Sequence, residues 1–154
     1  QNARLDDRVK TGMKRVRGTE LMITNRIAEE LRKQTIMHDA WGIQDPSREI
    51  QAFKEFWTQD NKPIGEGDIL IAPTGEDGIE ILYEVKKEEA DTDAVRQLFG
   101  YMFSRGITRG ILTSQKLTSK AKNLMDEINR ICREDYQLDF NMKHWDYTQL
   151  SMFN

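Results

Sequence analysis

Apolar residues recur at helical spacing after Thr19, at Ile23, Ile27 and Leu31, with Leu21 and Met22 alongside. Thr19 is a helix-capping residue type, so TELMITNRIAEELRKQ predicts a helix. On it Glu20, Thr24, Ile27 and Leu31 share a face, and the helix dipole favours a carboxylate at Glu20. Asp45-Pro46-Ser47 marks a turn or helix start. REIQAFKEFW (48–57) then predicts a short helix with Ile50, Phe53 and Trp57 inward. Two apolar stretches, 67–72 and 79–87, flank PTGEDG, whose Pro, Gly and Asp-Gly suit a turn, and together they predict a pair of strands. Alternation puts Ile79, Ile81, Tyr83 and Val85 on one face of the second strand and Glu80, Leu82, Glu84 and Lys86 on the other.

The pattern then returns to a helical period. Thr92 or Asp93 caps DAVRQLFGYMFSRG, whose stripe is Val95, Leu98, Phe99 and Met102 and whose stop is Gly106. RGILTS (109–114) predicts a third strand. LTSKAKNLMDEINRICRED predicts a long helix with Leu124, Ile128 and Ile131 in register, and the tail predicts one or two further strands and a loop. The plan is a mixed α/β (α+β) fold with helices covering a central sheet. Residues 1–18 read as a basic arm, linker or frayed helix, and residues 19–154 as one domain.

Charge changes this picture by its distribution. The net charge is −3, yet residues 1–38 carry +4, residues 39–93 carry −10 and residues 94–154 carry +3. Carboxylates gathered mid-chain suit a hard divalent cation, and basic ends suit phosphates. No apolar run approaches a membrane span and the N-terminus lacks a signal-peptide core, so an intracellular protein (cytoplasmic or nucleoid/nuclear) with no membrane partner is expected. A chain beginning on Gln1 reads as part of a longer parent with other domains. The single cysteine, Cys132, excludes an intramolecular disulfide and reads as a packed thiol.

The candidate chemistry lies at the ends of the strand pair. Glu84 and Lys86 project from one face, and pairing brings Asp68 level with Glu84. Two adjacent carboxylates repel unless a cation sits between them, and Mg²⁺ or Mn²⁺ resolves the conflict with carboxylates, a carbonyl and waters. A neighbouring ammonium holds or helps deprotonate a water, an arrangement suited to phosphodiester hydrolysis. A solvated ion pair at a strand end is the simpler alternative.

Asp68, fifteen residues, then EVK at 84–86 resembles the PD-(D/E)XK nuclease superfamily, with its restriction-endonuclease-like mixed sheet flanked by helices. QLFGY (97–101) resembles the Gln-x-x-x-Tyr element of nucleases related to RecB. RGILTSQKLTSKAKNLMDEI (109–128) resembles the strand-then-helix ending of Mrr-type and NucS-type domains. Gly67 stands where the name-giving motif has Pro. The resemblance implies a DNA endonuclease that uses Mg²⁺ or Mn²⁺, with Asp68, Glu84 and the Val85 carbonyl as metal ligands and Glu20 as an additional one. It implies that Lys86 positions the attacking water and that Gln97, sharing a face with Tyr101, orients the site or touches the DNA backbone. It also implies action as a homodimer, since one site cuts one strand.

Tyr101, Lys87, Arg105, Lys116 and Lys120 are the nucleic-acid-binding candidates, and Arg109 and Lys122 are placed with them; a solvated helix face explains Lys120 and Lys122 equally well. Arm residues Arg8, Lys10, Lys14, Arg15 and Arg17 either track nucleic acid or join a further domain. His38 and His144 lack metal-ligand spacing and read as surface or hydrogen-bonding residues. Trp41, Phe53, Phe56 and Trp57 read as core rather than base-stacking residues. Two rival functions remain. One is an inactive nuclease-fold binding or assembly module, as in the fifth subunit of eukaryotic RNA polymerases, against which the intact Asp68, Glu84 and Lys86 weigh. The other is RNA cleavage, which in this fold adds a His ligand, for which His38 is the early candidate.

Overall fold

Ile81–Val85 is buried along its whole length. A strand with no solvated position needs a covering layer on each face, and the other elements supply both. The computed structural model describes residues 12–32, 49–52, 68–72 and 80–153. In chain order these form α1 (Glu20–Arg32), β1 (Glu49–Ala52), β2 (Ile69–Ala72), β3 (Ile81–Val85), β4 (Glu89–Ala90), α2 (Thr92–Arg105), β5 (Arg109–Thr113), β6 (Lys116–Leu117), α3 (Ser119–Glu134) and β7 (Asn141–Trp145). Two 3₁₀ turns, Tyr147–Gln149 and Ser151–Phe153, follow. His38, Trp41, Phe53, Phe56, Trp57 and the turn at 73–78 lie outside the described residues, as do Arg8 and Lys10.

The main sheet has the order β1-β2-β3-β5-β7. Its first three strands are antiparallel, whereas β3, β5 and β7 run parallel, joined through α2 and α3. This is the expected mixed sheet flanked by helices. The alternation read along β3 holds: Leu82 faces α2 and α3, with Leu70, Leu98, Leu112 and Met125. Ile81, Tyr83 and Val85 face α1, with Ile23, Ile27 and Ile69.

Several expectations change in detail. The helix expected over 48–57 is contradicted where the structure describes it, because Glu49–Ala52 is a strand paired with β2, Ile50 opposite Ile71. Backbone pairing with β2 overrides a helical pattern resting on few apolar residues. The α2 cap is Asp91, whose carboxylate accepts the Ala94 N–H at 3.1 Å, one residue before the positions expected. Gly106 ends α2 as expected, in the left-handed region at φ 68°. β4 and β6 form a small parallel ladder of their own in segments that read as loop and helix start.

Two packing details fix the α2–α3 layer. Gly110 on β5 lies under Met102, and a Cβ there would overlap the Met102 sulfur. On α3 the buried stripe is Ala121, Met125, Asn129 and Cys132, with Leu124 and Ile128 only partly covered, one position round from the expected register. The polar Asn129 disguises that stripe in the sequence. Its amide accepts the Met142 N–H at 2.8 Å and donates to the Met142 carbonyl at 3.0 Å. Since the neighbouring Asn141 N–H turns inward to Thr108 O, the Met142 groups face away from β5, and Asn129 takes the place of a further strand. Cys132 is a buried free thiol, and burial pushes its pKa up, as expected of a packed cysteine.

Replacing Asn129 by Leu keeps the volume but strips Met142 of both partners. The expected cost is roughly 2–3 kcal/mol, read as a lowered urea midpoint with an unchanged m-value.

Candidate active site at the end of the central strand

The apolar run of β3 reaches Val85, and its chemistry is confined to that end. Glu84 shares the α2–α3 side with Leu82, is 4% exposed, and has its Oε1 3.8 Å from Lys86 Nζ. That spacing is an ion pair across one strand step, longer than a direct hydrogen bond. Asp68 stands just before β2. Its N–H donates to the Tyr83 carbonyl at 2.9 Å, and its Oδ2 accepts the Val85 N–H at 2.7 Å. The Asp68 residue is therefore held against both neighbours of Glu84. The Lys86 N–H donates to Thr113 O at 2.9 Å, which turns the Lys86 amide toward β5 and, by alternation, the Val85 amide and carbonyl toward Asp68.

This donor set can be tested against a hard divalent ion. Two carboxylates and a main-chain carbonyl belong to one strand end and its neighbour, oxygen donors of the kind such ions prefer. Among the described residues, no three His, Cys, Asp or Glu side chains are placed to share one ion, so Glu20 does not join Asp68 and Glu84 in such a group. Glu20 belongs to α1, which packs on the other face of the sheet. Its Oε2 instead lies 3.5 Å from the Lys87 N–H. The residues fit an ion held by two carboxylates, the carbonyl and waters.

The remaining predicted residues are dispersed. Gln97 and Tyr101 meet one turn apart on α2, the Gln97 amide donating to the Tyr101 hydroxyl at 2.9 Å. Lys87 adjoins the site. Lys116 lies half-buried in β6, and Lys120 is exposed at the start of α3. Arg105 ends α2, about 20 Å from the helix start by helical rise. Arg109 is occupied elsewhere, pairing with Asp139 Oδ2 at 2.6 Å and donating to the Asp139 carbonyl. Lys122 pairs with Asp126 at 2.8 Å.

Two residues absent from the sequence reading join the site to its surroundings. Tyr147 is fully buried, donates to the Lys87 carbonyl at 2.6 Å, and has its pKa pushed up to about 12 chiefly by burial. Gln115 receives the Lys14 N–H at 2.5 Å, and its amide donates to the Lys14 carbonyl at 2.8 Å and to the Lys87 carbonyl at 3.4 Å. No periodic signal marks either: Gln115 reads as a polar loop residue and Tyr147 as tail. Val16, within the stretch read as an arm, is 5% exposed and packs with the α1 core.

His144 takes the hydrogen-bonding role expected of it. Its Nε2 is 2.8 Å from Ser114 Oγ, which is also 2.7 Å from the Lys116 carbonyl. With one hydroxyl proton, Ser114 donates to the carbonyl and accepts from the imidazole Nε2–H. Ser114 is 0% exposed, so the pair is a brace rather than a nucleophile.

Residues 47–150 match the family described as the endonuclease NucS C-terminal domain, and the chain belongs to that family. A crystal structure of a repair endonuclease from Pyrococcus abyssi is similar, at 20% identity and TM-score 0.52, over 86% of this chain and 48% of that one. EndoMS in apo form is similar at 22% identity and TM-score 0.50, over 87% of this chain and 49% of that one. The chain thus spans about half the length of these structures, and it shares with them the restriction-endonuclease-like sheet and its flanking helices. No curated protein matches it. Among the described residues, no helix is long and apolar enough to cross a membrane.

Burial lowers the His144 pKa below its ordinary 6.5, against a smaller opposing pull from Asp146. Below 6.5 the unfolded chain takes up a proton that the native chain resists, so stability falls as the pH drops through that value. Denaturation at about pH 8 and about pH 5.5 is expected to show a loss on acidification that is smaller in His144→Gln.

Proposed function

We propose that this chain is a metal-dependent endonuclease domain of the PD-(D/E)XK superfamily that hydrolyses phosphodiester bonds in DNA. The carrying observation is the bracketing of Glu84: Asp68 binds the main chain on both sides of it, and the Lys86 ammonium lies 3.8 Å from its carboxylate. Membership of an endonuclease family supports the same reading. A solvated ion pair does not account for it, since Glu84 is 4% exposed at the end of a buried strand.

Asp68, Glu84 and the Val85 carbonyl would hold Mg²⁺ or Mn²⁺, which when bound lowers the pKa of water and neutralises charge on the phosphate. Lys86 directs its ammonium to the attacking water and the phosphoryl oxygens, where negative charge grows as the bond breaks. Gln97 and Tyr101, fixed by their mutual hydrogen bond, orient the site or touch the DNA backbone. Lys87, Lys116 and Lys120 supply cations to nearby phosphates, and Arg105 to more distant ones. Glu20 acts through the Lys87 amide, or as a further ligand through bridging water.

Incubation of plasmid, single-stranded DNA and RNA with Mg²⁺, Mn²⁺ or EDTA tests this directly. Wild type is expected to cut DNA only with metal, and Lys86→Ala to lose about a hundredfold or more in rate. Calorimetry is expected to show Mn²⁺ binding that Asp68→Ala abolishes. Absence of cutting on every substrate, or equal cutting by Lys86→Ala, would overturn the reading.

A further inference from the structure

A second cationic feature lies on the α1 side of the sheet, apart from Asp68, Glu84 and Lys86. A groove of about 280 Å³ is lined by Arg15, Val16, Arg17, Arg26, Met152 and Phe153, three arginines beside three apolar residues with no carboxylate in the lining. None of the three arginines is ion-paired with a carboxylate among the described residues. The larger groove of about 610 Å³ between α3 and β7 differs in this respect, since its lining includes Asp126, which neutralises Lys122. Three like charges around one groove repel, and an anion between them relieves the repulsion. The guanidinium fork also matches phosphate oxygens two at a time.

The groove is tied to the candidate active site from two sides. Its lining residue Phe153 packs edge-on against Tyr147, with ring centroids 4.9 Å apart, and the Tyr147 hydroxyl donates to the Lys87 carbonyl. On the other wall, Lys14 beside Arg15 is clasped by the Gln115 side chain, whose amide reaches that same carbonyl. Both ties end one residue past Lys86. A ligand held by the arginines therefore stands in fixed relation to the reacting end of β3.

We propose that Arg15, Arg17 and Arg26 bind a backbone phosphate of the DNA that is cut at Lys86, away from the scissile bond. This rests on the nuclease reading for the identity of the ligand. Phe153 is only 5% exposed and offers no ring face to a base, so the groove reads backbone rather than sequence.

The test is fluorescence anisotropy with a labelled duplex of about 30 base pairs, in EDTA, over a salt series. The triple variant R15Q/R17Q/R26Q is expected to bind about tenfold or more weakly, and its log–log salt slope is expected to fall by about one or more. With metal, its KM is expected to rise while kcat at saturating DNA holds. Unchanged affinity and slope in a triple variant with wild-type circular dichroism would overturn the proposal, as would a fall in kcat with KM unchanged. If the triple variant does not fold, Arg26→Gln, exposed on α1, is judged by the same affinity and slope. Lys86→Ala separates the two readings: it is expected to lose cleavage, while the drop in affinity and slope caused by R15Q/R17Q/R26Q persists when measured in the Lys86→Ala background. A wild type that binds duplex through these arginines but cuts nothing would sink the nuclease reading and support the groove.

Discussion

The hydrogen bond from the Val85 amide to the Asp68 carboxylate is the constraint on which the candidate site depends. β2 begins at Ile69, so the Val85 amide lies beyond the regular pairing of the two strands. A side-chain oxygen fills that position and completes the ladder with a charged group in place of a backbone carbonyl. The bond satisfies a buried donor and also brings a second carboxylate to the end of β3, beside Glu84. One contact thus closes the sheet and builds the site.

The same carbonyl-and-amide economy governs the region just past Lys86. The Lys87 carbonyl accepts from Tyr147 and Gln115, while the Lys87 amide faces Glu20. Segments distant in sequence, the first turn of α1, the β5–β6 turn and the C-terminal turns, therefore meet at one residue. Motion there is resisted from several directions, which favours a preorganised position for the preceding lysine.

Most of the central architecture was legible in the residues because it rests on periodicity. The β3 alternation assigned Leu82 and Tyr83 to opposite layers, and Gly106 marked the end of α2 through its tolerance of positive φ. The failures have physical causes. Glu49–Ala52 is a strand because β2 offers it a partner, information absent from the local pattern. Asn129 was hidden because an amide inside an apolar stripe looks like an error until the Met142 groups it satisfies are seen. Asp68, Glu84 and Lys86 could be grouped from strand spacing, whereas Gln115 and Tyr147 act through long-range contacts that spacing does not encode. The Glu20 side chain reaches the right end of the sheet, but from the face opposite Glu84.

Cys132 has a practical consequence. It is the chain's single sulfhydryl, it lies buried in the α3 stripe, and burial raises its pKa, so little of it is thiolate at neutral pH. Alkylating reagents should leave the native fold essentially unmarked. An exposed cysteine placed by design would then carry a fluorophore or spin label alone, making the wild-type chain a ready background for spectroscopic distance measurement.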